Sequence, residues 1–308
     1  MGRAVRGDAP SDKIAGAMTS LEHREPAKTR RYWNARREYA WLTIPPIAFL
    51  AGFLLLPLMR IVVRSFTEPT LTAANYVRVF EDIVYLRVFS YTLGVAASVT
   101  VLCLMIGYPL AYAIARARGF AQKLMSILVL LPLWTSVVIR SYAWLILFQR
   151  KGALNDLLLA TGLVKEPIEI LQTSLAVEIG MVHILLPVMI LPLVASMMSV
   201  DPTLLRAGRI LGARPFRLFT RVYLRLTLPG VSAGCVLVFI SALGFFITPS
   251  LLGGARNAMA AVVIEQAVSV FFDWPLASAL STVLLLLTIG IYLAYARLTG
   301  GDLQVALK

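Results

Sequence analysis

Apolar and polar segments alternate along this chain with a long period. Six apolar runs approach the roughly 20 residues that an α-helix needs to cross the hydrocarbon core of a bilayer. They cover residues 41–64, 89–115, 124–148, 174–199, 227–249 and 276–297. This pattern predicts an all-α integral membrane protein with six transmembrane helices.

The polar segments divide the rest of the chain. Residues 1–40 are polar and rich in basic side chains, so we expect a mostly disordered cytoplasmic basic tail there. The membrane domain then covers residues 41–300, and residues 301–308 form a short cytoplasmic C-terminus. A loop at 201–226, which contains six arginines, separates the fourth apolar run from the fifth.

The charge distribution explains why the chain is basic. Hydrophobic residues make up 59% of the chain and charged residues 15%, whereas soluble domains have roughly 45–50% and 25%. If the N-terminus is cytoplasmic, twenty of the 29 Lys and Arg residues lie on that side and six on the outer side. This asymmetry follows the positive-inside rule. The net charge of +13 therefore reflects membrane topology, and we expect no nucleic-acid partner.

Two short amphipathic helices are predicted within the loop at 201–226. The Asp-Pro pair at 201–202 is typical of a helix start, Gly212 is placed to end that helix in a left-handed conformation, and Pro215 restarts a second helix. Helical periodicity places four residues of the first helix on one face. They are Leu204, Ala207, Gly208 and Leu211. In the second helix the arginines share one side, opposite Phe216 and Phe219.

Three interpretations of this loop compete. It could lie at the membrane surface with its arginines on anionic headgroups, bind a groove on a cytoplasmic protein, or contact nucleic acid. A lipid anchor does not need a capped start, a glycine hinge, a proline restart and a Leu-Pro return at fixed separations. The spacing therefore favours a protein partner, and membrane lipids remain the surroundings of the spans.

The loop also carries the motif of a known family. Permease subunits of ABC-type importers have a cytoplasmic loop with the signature E-A-A-x-x-x-G, followed by I-x-L-P. Here residues 206–213 read RAGRILGA, and residues 226–229 read LTLP. Arg206 takes the place of the family glutamate, and Gly208 that of the second alanine. The chain resembles these permeases in the glycine and in the Leu-Pro pair.

The resemblance extends over most of residues 41–300 and is strongest to the first permease subunit of spermidine/putrescine transporters. It is carried by RSYAW at 140–144, FITPSLLGG at 246–254 and DWP at 273–275. It implies the type I ABC importer permease fold and a multi-pass protein of the bacterial inner membrane with both termini cytoplasmic. It also implies that the solute is a polyamine or a related cationic small molecule.

The resemblance further implies a set of partners and a role for the loop. The partners are a second, distinct but homologous permease subunit, two ATP-binding subunits and a periplasmic solute-binding protein. The residues implied in coupling to the ATPase are Leu204, Arg206, Ala207, Gly208, Leu211, Gly212, Pro215, Phe216 and Phe219. Because the chain has no G-x-x-x-x-G-K-[ST] phosphate loop, we expect it to bind no cofactor, with ATP and Mg²⁺ used by the partner ATPase.

Polar and aromatic residues in and beside the spans are candidates for the solute pathway or its gate, because charged groups inside a membrane are costly. The candidates are Arg140, Tyr142, Trp144, Glu178, Glu265, Asp273 and Trp274. Acids and aromatic rings attract an amine through charge and cation–π interactions. The alternatives are an Arg140 that snorkels toward the headgroups, a structural ion pair for Glu178 and a solvated surface for the others.

Chemistry other than transport has little support in the sequence. One carboxylate, Glu178, lies near His183 in the fourth run, which is too few ligands for a metal site, and we expect a buried, hydrogen-bonded His183. The chain has no H-E-x-x-H or G-x-S-x-G motif. The remaining alternatives are a secondary transporter or channel that works without an ATPase, and a membrane anchor that assembles soluble partners.

Overall fold

The computed structural model describes residues 27–67 and 73–298 together with Gly2, and side chains within 43–67 and 73–297. The chain divides into two compact units, residues 1–60 and 61–308, and each is described by itself. The predicted C-terminal segment 301–308 and most of the predicted tail lie outside the described residues.

All regular structure in the described ranges is helical. The helices are α1 (Ala27–Thr67), α2 (Ala74–Glu81), α3 (Ile83–Arg116), α4 (Phe120–Leu130), α5 (Val137–Leu147), α6 (Ala153–Ala160), α7 (Ser174–Met198), α8 (Pro202–Ile210), α9 (Pro215–Leu243), α10 (Ile247–Leu252), α11 (Ala260–Ser269) and α12 (Trp274–Leu298). Five are long and apolar enough to cross a membrane, and α4 with α5 makes a sixth span if the bent pair is counted as one. The prediction of six spans is confirmed on that count.

Two predicted boundaries are wrong. Helix α1 begins at Ala27, so residues 27–40, which we expected to belong to a disordered tail, are helical. The fifth span was predicted over 227–249, but α9 starts at Pro215 and ends at Leu243. The second amphipathic helix of the loop and the fifth span are therefore one continuous element, joined by a π-helical turn at Phe219–Tyr223.

The third predicted span, 124–148, is broken in the middle. Helix α4 ends at Leu130, a 3₁₀ turn covers Leu131–Trp134, and α5 begins at Val137. The two halves are bent by 94°. Pro132 lies in the turn, where its missing N–H prevents a regular helix from continuing. The apolar run gives the length of this span but not its bend.

Helices α3, α7 and α9 form the core of the unit 61–308. Gly230 and Gly234 lie one turn apart on the face of α9 that meets α7. A Cβ on Gly230 would lie 2.7 Å from the Pro192 carbonyl oxygen, and one on Gly234 would lie 2.7 Å from Met189 Sδ. This small-xxx-small spacing lets the two backbones approach closely, as it does in other membrane helices.

The replacement Gly230→Ala should therefore destabilise the protein. The added methyl group meets a backbone oxygen that cannot move aside, and such overpacking costs about 1–3 kcal/mol. We expect a lower midpoint of thermal unfolding in detergent. The matched control is Gly290→Ala in α12, where the methyl group meets nothing within 4 Å. An unchanged midpoint for Gly230→Ala would contradict the close crossing of α7 and α9.

Candidate functional site

Helix α8 starts at a capping aspartate, as the sequence predicts. Asp201 Oδ1 accepts a hydrogen bond of 2.8 Å from the Thr203 N–H, and Pro202 occupies the first turn. This hydrogen bonding, with a smaller contribution from the charge of Arg206, lowers the pKa of the Asp201 carboxyl below its ordinary value. The carboxylate is therefore ionised at neutral pH and complements the positive end of the helix dipole.

The end of α8 has the geometry predicted for Gly212. Its φ angle is 78°, a left-handed conformation that glycine adopts without steric cost. Its N–H donates to the Arg209 carbonyl at 3.0 Å, and the Ala213 N–H donates to the Gly208 carbonyl at 3.0 Å. These two bonds around a left-handed glycine form a Schellman motif. The motif ends α8 and turns the chain toward α9.

The loop leaves several large apolar side chains exposed. Leu211 and Phe216 are 85% and 79% exposed, and Leu204 is 50% exposed. Ile210, which the sequence analysis did not single out, is 86% exposed. The exposed residues of the predicted coupling set also include Arg206, Ala207 and Pro215. We call the surface formed by Ile210, Leu211 and Phe216 the exposed apolar surface of the loop.

Gly208 is half-buried and does not share this exposure. It points toward α9, where a Cβ would lie 2.5 Å from Leu218 Cδ1. Leu218 is buried, and Leu205, one turn before Gly208, packs against the core. The face of α8 that meets the membrane domain is thus formed by Leu205 and Gly208, while Leu204 and Leu211 lie outside it.

Phe219 also points inward and joins an aromatic cluster. Its ring lies 6.2 Å from Tyr108 and 6.1 Å from Tyr112, both on α3. Tyr223, one turn further along α9, lies 5.4 Å from Tyr112. The Arg116 guanidinium lies 5.0 Å from the Tyr112 ring centroid and 5.8 Å from that of Tyr223. The cluster joins the start of α9 to the end of α3.

Sequence reasoning missed the partners of Phe219. Tyr108 and Tyr112 are four residues apart and precede Arg116, and this spacing places all three on one side of α3. The Tyr108 hydroxyl also lies 3.1 Å from Thr227 Oγ1 on α9. Helical spacing was the available signal, but it could not show which helix that side of α3 meets.

Of the pathway candidates, Arg140 and Trp144 lie on α5 close to His183 of α7. Arg140 is 9% exposed, so its side chain is enclosed and does not snorkel. Trp144 Nε1–H donates to His183 Nδ1 at 3.1 Å. Arg140 lies near enough to His183 for the two side chains to interact electrostatically. His183 is hydrogen-bonded as expected but exposed rather than buried. Tyr142 is 50% exposed.

Glu178 is half-buried on α7 and lies beside a series of polar groups. Glu178 lies near enough to Tyr91 of α3 for the two side chains to interact electrostatically. The Tyr91 hydroxyl donates to Ser174 Oγ at 3.2 Å, and Ser174 Oγ donates to Asn257 Oδ1 at 3.0 Å. Within the described ranges Glu178 forms no ion pair. Glu178 is therefore a carboxyl group inside the membrane domain with no ion-pair partner among these residues.

Asp273 and Trp274 lie at the start of α12, and both already have partners. Asp273 Oδ2 accepts from Arg78 Nη1 at 3.0 Å, and its Oδ1 accepts from the Leu276 N–H at 3.1 Å. The Arg64 guanidinium lies 4.9 Å from the Trp274 ring centroid. These contacts fasten the start of α12 to α2 and to the end of α1.

Glu265 lies on α11 and is exposed. Its Oε1 accepts a hydrogen bond of 2.7 Å from the Ser269 hydroxyl, one turn further along the same helix. The structure thus joins Trp144 to His183, with Arg140 beside them, and gives Glu265 only a local partner among the contacts described. The predicted pathway residues do not form a single cluster.

The arrangement of spans and loop agrees with a family of transport proteins. Residues 103–299 match the family of binding-protein-dependent transport system inner membrane components. The chain belongs to this family. The matched region contains both the loop with its exposed apolar surface and the helices to which the loop is joined.

Curated relatives extend this similarity over most of the chain. The spermidine/putrescine transport system permease protein PotB of Haemophilus influenzae is 38% identical over 256 residues, 80% of this chain and 89% of the relative. The protein of the same name from Escherichia coli is 37% identical over 259 residues, with 82% and 94% covered. The inner membrane ABC transporter permease protein YdcU of E. coli is 33% identical over 246 residues, with 75% and 77% covered.

Solved structures agree on the fold. The bacterial alginate ABC transporter, solved in complex with an alginate pentasaccharide-bound periplasmic protein, contains a chain that superimposes with a TM-score of 0.68 at 17% identity. The superposition covers 88% of this chain and 98% of that one. This likeness shows the type I ABC importer permease fold.

The contact between Gly208 and Leu218 can be tested by proteolysis. The change Gly208→Ala should push α8 away from α9, because the new methyl group would lie 2.5 Å from Leu218. Trypsin should then cleave the arginine-rich loop of the purified protein several-fold faster. Adding Leu218→Ala should restore slow cleavage, and the exposed neighbour Ala207→Ser should have no effect. Equal cleavage of the protein with and without Gly208→Ala would show that α8 is not held by this contact.

Proposed function

We propose that this chain is the transmembrane permease subunit of an ATP-driven ABC importer and that its loop docks on a cytoplasmic ATPase. The observation that carries the docking proposal is the exposed apolar surface formed by Ile210, Leu211 and Phe216. Large apolar side chains that are exposed on a structured loop are typical of a protein interaction site. Membership of the binding-protein-dependent transport family supports the choice of partner.

The way in which the loop is attached supports a coupling role. Helix α8 packs on α9 through Gly208 and Leu218, and α9 is itself a membrane span. The aromatic cluster around Phe219 then joins α9 to α3. A movement of a docked ATPase would therefore reach two core helices through packed side chains, and the spans would move as a rigid body to give alternating access.

The proposal requires the other subunits of an importer. They are a second permease subunit, a distinct homologous chain, together with two ATP-binding subunits and a periplasmic solute-binding protein. ATP and Mg²⁺ are used by the ATP-binding subunits. The chain lies in the bacterial inner membrane with both termini in the cytoplasm, which places the loop at 201–226 on the same side as the ATPase.

The proposed solute is a polyamine, such as spermidine or putrescine, or a related cationic small molecule. The support is the identity of 37–38% to spermidine/putrescine permeases. Glu178 is the best placed of the candidate acids to meet an amine, because it lies within a span and is half-buried. To meet a solute, Asp273 would first have to break its ion pair with Arg78. Trp274 would have to break its cation–π contact with Arg64. Glu265 and Tyr142 are exposed side chains that a solute could contact as it enters or crosses the membrane domain.

The coupling role is tested by substitutions at the hinge. Gly212→Pro should abolish ATP-dependent uptake in membrane vesicles, because proline cannot adopt the φ of 78° found here. Insertion into the membrane should be unchanged. Gly212→Asn should retain most uptake, since asparagine tolerates the left-handed region. Arg206→Glu should also retain uptake, because it restores the family residue at an exposed position.

Two results would overturn the proposal. Full uptake in the Gly212→Pro variant would show that the geometry of the loop is not needed for transport. Uptake by the unchanged chain in vesicles without ATP would instead identify a secondary transporter or channel.

A further inference from the structure

Arg140 is a buried cation, and two of its three nitrogen atoms lack hydrogen-bond partners among the described residues. Its Nε and Nη1 atoms are buried and donate no hydrogen bond to any described residue. A guanidinium carries five N–H donors and stays charged in proteins. Burying such a group without a counter-charge is strongly unfavourable, and more so within a membrane. The side chain therefore needs an anionic partner.

The described part of this chain does not supply that partner. Within the described spans Glu178 is the only acidic residue. It lies five residues before His183 on α7, which separates the two side chains by about 140° around the helix. Glu178 instead interacts electrostatically with Tyr91 of α3. No acidic residue of the described spans is therefore placed to pair with Arg140.

The group beside Arg140 also offers a donor rather than an acceptor. Because His183 Nδ1 accepts the hydrogen bond from Trp144, the proton of the neutral imidazole is on Nε2. Arg140 and His183 together thus present N–H donors to a ligand, which is the arrangement that a carboxylate fits.

The surface around this site is exposed and apolar. Trp134, Ile139 and Ile146 on the broken third span are 90%, 68% and 60% exposed, so an apolar face lies next to the enclosed charge. A polyamine carries amino groups and no carboxylate, so the proposed solute cannot pair with Arg140. A second membrane subunit can supply both an apolar face and an acidic side chain.

We propose that Arg140, with His183 beside it, binds a carboxylate side chain from a membrane span of the second permease subunit. This inference rests on the proposed function, since it needs that subunit. The pair would give an acceptor to the buried Nε and Nη1 atoms, which lack partners among the described residues. The ion pair holds the bent third span against the partner and neutralises a positive charge that would repel a cationic solute.

The test uses the complete complex, purified through a tag on this chain. Arg140→Glu should lower the amount of second permease that co-purifies at least about tenfold, because breaking a buried pair leaves an uncompensated charge. Each intramembrane Asp or Glu of the second permease is then changed to Arg in the Arg140→Glu background. One of these charge exchanges should restore the second permease to near its original amount. The matched control is Ile139→Met on the same helix, which should have no effect.

A second measurement applies if Arg140→Glu fails to insert. Arg140→Gln is combined with the neutral amide variant of each candidate acid, and the losses of co-purifying subunit are compared. For one acid the two losses should be far from additive, because both changes remove the same pair.

Additive losses for every acid would overturn the inference and assign the anion to lipid. So would an Arg140→Met complex that assembles and transports normally. A wild-type preparation that contains no second permease would instead contradict the proposed function.

Discussion

The contact between Gly208 and Leu218 determines what the loop of this protein can do. Because glycine has no side chain at this position, the buried Leu218 of α9 packs directly against α8. Helix α8 is thereby held to the membrane domain on one side and keeps Leu211 exposed on the other. The aromatic cluster around Phe219 continues the same connection to α3. An outward-facing surface and a firm attachment are the two properties that coupling requires.

Much of the fold could be predicted from the sequence because the bilayer imposes it. A span needs a fixed length of apolar residues, so hydropathy alone located six spans. The loop signals were equally local: Asp201 caps α8, and Gly212 has the left-handed conformation expected of a helix-ending glycine. The two loop features depend on residues within about one helical turn, which is why sequence spacing was sufficient to predict them.

The features that the sequence did not reveal depend on contacts between distant segments. The 94° bend between α4 and α5 is the exception, because it lies at a local turn that contains Pro132, within a run whose hydropathy is continuous. Helical periodicity places Gly208 on one face of α8 but cannot tell which side of α8 meets α9. The pairing of Phe219 with Tyr112 and the hydrogen bond from Trp144 to His183 join segments far apart in the chain. The partners of the pathway candidates were likewise not predictable from the sequence.

The most direct test of the account is a photo-crosslink from the loop. A photoreactive amino acid replaces Leu211, which is 85% exposed, and the chain is irradiated in membranes of its native host. The account predicts a covalent product with a cytoplasmic chain that carries an ATP-binding phosphate loop. The same probe at Leu218, which is buried, should give no such product. Crosslinking from Leu211 to lipid alone would contradict the account and make the loop a membrane-surface anchor.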